Sequence, residues 1–204
     1  MNHNMQVLLS HSNLDRLKTQ IALQCAPVLL GIKISNILIV EDHYKNAVKY
    51  IFQNTELSYY QLYSIDMRTA FLIYDRQPLM QYLQDKTVRG MLRQMGYQTS
   101  DLAGILQEFA RRCRCYMNTK QQFPHEMGLI LGYPPEDVSG FILHKGKDYL
   151  YSGYWKVYGN VDYAVEVFQR YEKAKELVLT WVIRGGTIRD ILIIKSKKNR
   201  FVQT

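Results

Sequence analysis

SYYQLYSI, residues 58–65, and RTAFLIYD, residues 68–75, are two runs of aromatic and branched side chains with only Asp66-Met67 between them. Such side chains fit a pleated, half-buried surface, and a two-residue gap is hairpin spacing, so the stretch reads as an antiparallel hairpin even though its turn has no glycine. Upstream, ISNILIV (34–40) reads as a buried strand. The two readings together place a small, mostly antiparallel sheet between residues of about 34 and 75.

Outside this window the apolar residues recur at helical spacing. NLDRLKTQIALQ (13–24) puts Leu14, Leu17 and Ile21 on one face, with Asn13 placed to cap and Pro27 placed to stop the helix. Glu41-Asp42 opens a helix through Val48 and Ile51, and Gln77-Pro78 opens another. Ser100-Asp101 caps a helix whose stripe runs Leu102, Ile105, Leu106, Phe109, Cys113, and Asn160 caps a long helix that Gly185-Gly186 ends. TIRDILII (187–194) fits either a strand or a helix. The fold class expected is α+β: the small sheet packed with a predominantly helical C-terminal half. A single domain is expected over residues 1–194, and residues 195–204 read as a basic, flexible tail.

The chain has 204 residues, 47% hydrophobic and 22% charged, enough for a core of ordinary size. Three cysteines argue against a disulfide scaffold and for a reducing compartment. No basic-plus-apolar leader and no uninterrupted apolar span is visible, so the expected location is the cytoplasm, without a membrane. The net charge of +8 suggests a polyanion partner, but Lys195, Lys197, Lys198 and Arg200 supply half of it within the last ten residues. Tyrosine is the compositional oddity: there are 16, against seven Phe, which suits a half-wet pocket or a partner surface.

HEMGLILGYPPEDVSGF (125–141) reads as a stop-turn-start between two helices. Gly132 is placed to take a left-handed conformation, Pro134 pushes Tyr133 toward extended backbone, and Pro135-Glu136-Asp137 is a first helical turn with carboxylates at the positive end of the dipole. His125 and Gly128 lie off the apolar face, where Gly128 permits a close approach. In YLYSGYWKVYG (149–159), strict alternation puts Tyr154, Lys156 and Tyr158 on one face and Trp155 on the other. That first face could stack a planar ligand and neutralise its charge.

CAPVLLGIK, HEMGLILGYPPEDVSGFI and GYWKVYG, in this order, resemble an uncharacterised family of bacterial, mainly clostridial proteins of unknown function marked by an LGYP motif, here Leu131 to Pro134. The resemblance spans roughly residues 13 to 193. It implies no particular activity. Members often carry cysteines near GYWKVYG, where this chain has Ser152 and Tyr154.

Three functions are compatible with these residues. The first is a binding module for a small planar or anionic ligand, or a protein partner, built from Tyr133, Tyr154, Trp155, Lys156 and Tyr158. The second is a thiol- or histidine-dependent enzyme with Cys25, His125 and Glu126 as catalytic candidates. The third is a weak nucleic-acid binder that uses the basic tail. No metal site is expected: Leu129 stands where a zincin would have its second histidine, and Cys113-Arg114-Cys115 lacks a second ligand pair. The sequence points to no cofactor.

Overall fold

The computed structural model describes residues 11–194, with side chains from residue 15 onward. The expected tail, 195–204, lies outside the described residues. The fold is α+β. Contacts among the described residues divide them into two compact units, residues 11–75 with 173–194, and residues 76–172.

In the first unit, strands β1 (Ser35–Glu41), β2 (Leu57–Ile65) and β3 (Arg68–Asp75) form an antiparallel sheet in the order β1-β3-β2. The central position of β3 explains its composition, since ThrAlaPheLeuIleTyr is buried without a break. The hairpin closes through Asp66 and Met67, both with positive φ (51° and 59°). Two left-handed residues match the twist of the flanking strands, which is how a turn without glycine is accommodated. Leu62 sits at a register shift in β2 and is fully buried.

Helix α1 (His11–Leu29) contributes Leu17, Ile21, Cys25 and Leu29 to the core, together with Phe71 and Ile73 of β3. It also covers the sheet edge. The Gln24 side chain accepts from the Ile39 N–H at 2.9 Å and donates to the Ile39 carbonyl at 3.1 Å, so an exposed strand edge finds its partner in a helix. Pro27 lies inside α1 rather than ending it. In the last turn a missing N–H leaves only one carbonyl without its helical bond, so the helix tolerates it. A short 3-10 turn (Asp42–Tyr44) leads into α2 (Lys45–Phe52), which buries Val48, Ile51 and Phe52.

The second unit holds α3 (Arg76–Gln84), α4 (Lys86–Gln94), α5 (Leu102–Thr119), α6 (Met127–Ile130), α7 (Pro135–Leu143) and the two-residue strands β4 (Tyr151–Ser152) and β5 (Lys156–Val157). Asp85 and Asp101 cap α4 and α5 by accepting backbone N–H groups of the first turn. Helix α8 (Val161–Ile183) begins in this unit, where Asn160 accepts from the Tyr163 N–H at 3.0 Å. Its later residues Ala174, Val178 and Val182 belong to the core of the first unit, with Ile188, Ile191 and Leu192. Residues 188–194 are helical, which resolves the ambiguity of TIRDILII. Thr187 and Asp190 bond reciprocally across that helix start, a capping box with Asp as its acid.

Met67 is 77% exposed and left-handed, so its side chain contributes little and its backbone is disfavoured. Met67→Gly should raise the urea midpoint, by about 0.5–1 kcal/mol after the entropic cost of glycine, with an unchanged denaturant slope. A fall in the midpoint would show that the left-handed turn is not the populated one.

Candidate functional site

The chain from α6 to α7 behaves as its residues dictate. Gly132 has φ 73°; its N–H bonds to Leu129 O at 2.9 Å, and the Tyr133 N–H bonds to Gly128 O at 2.9 Å. These two bonds are the Schellman ending of a helix, and the left-handed residue between them is where glycine carries no penalty. Pro134 and Pro135 then start α7 directly. The turn is pinned from outside by Tyr82 of α3, whose hydroxyl donates to Tyr133 O at 2.6 Å.

Asp137, in the first turn of α7, is only 3% exposed. One of its oxygens accepts from the N–H of Tyr158 (2.7 Å) and of Gly159 (2.9 Å), and the other accepts from Trp155 Nε1 (2.7 Å). The carboxylate therefore does more than complement a helix dipole. It ties the aromatic segment to α7 through three charge-assisted bonds. The signal was present in the sequence: a buried indole N–H needs an acceptor, and PPED offers the nearby acids.

The aromatic segment is not one straight strand. It folds back as a small hairpin, with Tyr151 paired to Val157 and Ser152 to Lys156. Strict alternation thus fails at the bend around Gly153. Trp155 and Val157 are buried (9% and 0%), while Tyr149 and Tyr151 are exposed. Trp155 stacks on Tyr133 (centroids 4.9 Å apart, 27° between planes) and meets Phe168 edge-on at 4.5 Å. Tyr154 donates to Glu172 at 2.7 Å.

This arrangement encloses a cavity of about 380 Å³, lined by His125, Met127, Leu131, Tyr133, Val138, Phe141, Tyr154, Trp155 and Lys156 among others. Of the five expected ligand residues, Tyr133, Tyr154, Trp155 and Lys156 line it together. Tyr158 does not: its ring stacks on His144 at 5.5 Å. Tyr158 follows the end of β5, its N–H is held by Asp137, and its ring lies over Gly140 of α7. Gly128 also lines the cavity, and a side chain there would meet a Val138 methyl at 2.7 Å, so the close approach it permits is to α7. The Lys156 ammonium donates to Gly146 O at 2.5 Å and lies 4.7 Å from the Tyr149 ring centroid.

The catalytic candidates are separated by their surroundings. His125 is exposed and lines the cavity between Phe123 (5.4 Å) and Phe141 (5.8 Å). Glu126, next to it, turns away from that cavity. It is 3% exposed, accepts from Tyr97 at 3.0 Å and faces Arg112 at 3.6 Å. Burial, and then Glu126 itself, hold the Tyr97 phenol well above its usual range. Glu126 is thus the acceptor of a buried network. Cys25 is fully buried in the first unit, and that burial pushes its thiol up to about 12 against the opposing pull of Lys33. Such a thiol is protonated at neutral pH and suits packing rather than nucleophilic attack. Cys113 is likewise buried and raised to about 12, whereas Cys115 is exposed. Among the described residues there is no cluster of three metal-ligating side chains, and no helix is long and apolar enough to cross a membrane.

The family model described as "Protein of unknown function (DUF3793)" matches residues 21–192. The chain belongs to this family. No curated protein and no solved structure matches it.

Two outcomes test the geometry. Asp137→Ala should cost about 2–4 kcal/mol in denaturant unfolding, because three N–H groups lose their acceptor. A loss under about 0.5 kcal/mol would mean that water serves them equally well. In the native protein, iodoacetamide at pH 8 should label Cys115 alone, with Cys25 and Cys113 labelled only after denaturation, as read by peptide mass spectrometry. Fast native labelling of Cys25 would restore the thiol mechanism.

Proposed function

We propose that this family member is a binding module for a small planar or anionic ligand, seated in the cavity between the α6–α7 turn and the β4–β5 hairpin. The observation that carries the reading is convergence. Two segments about 25 residues apart in sequence, His125–Tyr133 and Tyr154–Lys156, supply the walls of one concave space. Its volume, about 380 Å³, lies in the range of small-molecule sites, and its lining is largely apolar with few polar groups, as such sites are. In the same reading the LGYP turn is the mark of a bacterial family because it builds one wall. The proposed location is the cytoplasm, supported by three unpaired cysteines.

A protein partner is the second reading. It is favoured by Leu143 (76% exposed), Leu150 (64%), Tyr149 (44%) and Tyr151 (43%), which cluster in sequence beside the hairpin. The nucleic-acid reading rests on residues 195–204 and gains no support from the described residues.

A thermal-shift screen of flat and acidic metabolites tests the first reading. A ligand at a hundredfold excess over its Kd stabilises by about 2.7 kcal/mol, roughly 5–10 °C for a chain of this size. The shift should vanish in Met127→Trp, which fills the cavity from α6. No shift with any compound, or a shift that survives Met127→Trp, would reject the site.

A further inference from the structure

We infer that the cavity selects amphiphilic monocarboxylates: one anionic head on Lys156 and a compact apolar body against α6 and α7. This rests on the proposed binding role and narrows it to a ligand class. The polar groups of the lining are few, and most are already engaged. Asp137 is occupied by three N–H donors. The Tyr133 hydroxyl donates to Tyr154 O at 3.4 Å, and the Tyr154 hydroxyl donates to Glu172. None of these groups is presented as a set that would read a sugar or a base edge.

Lys156 differs from them. Its ammonium is half-buried, accepted by a single carbonyl, and attended by the rings of Tyr149 and Phe141 at 4.7 and 5.9 Å. Among the described residues no carboxylate lies within ion-pair distance of it. An ammonium has three N–H donors, so two remain for a ligand. A partly desolvated cation without a counter-charge favours an anion at that end of the cavity. The exposed His125 imidazole, on the same lining, adds at least one N–H donor.

Lys145 and Lys147, exposed on the turn that accepts Lys156, do not line the cavity, so the charge within it suits one carboxylate and not a polyphosphate. The nearby turn offers no backbone cradle. The N–H groups of Lys145, Gly146 and Lys147 bond to Ile142 O, Phe141 O and His144 O. The rest of the lining includes Met127, Leu131 and Val138, which present apolar surface. The volume equals on the order of a dozen waters, room for a fused aromatic pair or a medium acyl chain.

Isothermal titration calorimetry on the full chain separates the possibilities, with 2-naphthoate, decanoate, the neutral 2-naphthalenemethanol and AMP as probes. At least one carboxylate should bind tenfold or more tighter than the neutral alcohol, and AMP more weakly than either acid. Lys156→Gln should erase that tenfold preference, and Lys156→Arg should keep it. Naphthoate alone would assign an aryl source, and decanoate alone an acyl one. Equal binding of acid and alcohol, tighter binding of AMP, or a preference that survives Lys156→Gln overturns the class while leaving the cavity as the site. Binding of none of the four overturns both. If Lys156→Gln does not fold, the acid-to-alcohol ratio of the unmodified chain decides.

Discussion

A single buried carboxylate organises the second unit. Asp137 receives three N–H groups, from the buried Trp155, the half-buried Tyr158 and the exposed Gly159. A carboxylate in such a place is stable only while those donors stay in position, and the donors are costly to bury without it. The dependence is mutual. The hairpin is fixed to α7 because the acid is there, and the acid can be buried because the hairpin is there. Its place in the first turn of α7 adds the favourable end of the helix dipole.

The cavity follows from that bracket. Trp155 is drawn against Tyr133, whose own position is set by the Gly132 ending of α6 and by Tyr82 on its carbonyl. The aromatic rings are largely spent on one another, with Trp155, Phe168, Tyr154 and Tyr171 forming a contiguous set at 4.5–5.6 Å. What stays open to a ligand is the aliphatic wall of α6 and α7, with one ammonium at its edge. The surplus of tyrosine is explained in part by this packing: Tyr82, Tyr133 and Tyr154 each bury a ring and carry a hydroxyl to a polar partner.

Local chemistry was readable in the sequence, and long-range pairing was not. The 58–75 hairpin was legible because runs of aromatic and branched residues flank a two-residue gap, and the Gly132 stop because only a few residue types accept its conformation. Tyr133 and Trp155 were legible as neighbours, and both line the cavity. The fold of residues 149–159 was not, since the chain reverses around Gly153 and is held by Asp137, which lies 18 to 22 residues away. Tyr158 was misplaced because Asp137, 21 residues away, holds its N–H and its ring packs at Gly140 of α7. Glu126 was indistinguishable from a catalytic acid by sequence, because the partners that engage it, Tyr97 and Arg112, are 29 and 14 residues away. Cys25 read as a helix-end thiol because Pro27 looked like a stop; with α1 continuing to Leu29, it lies inside the core.

The bond between Trp155 and Asp137 can be observed directly by hydrogen exchange of the two indole N–H groups in nitrogen-15-labelled protein. Trp181 Nε1 also has an acceptor, Thr187 O at 3.1 Å, but belongs to a side chain that is 39% exposed. The Trp155 indole proton should resonate further downfield and exchange orders of magnitude more slowly than that of Trp181. Equal, rapid exchange of both would contradict it, because the hairpin would then be free of α7 and the cavity would have no fixed wall.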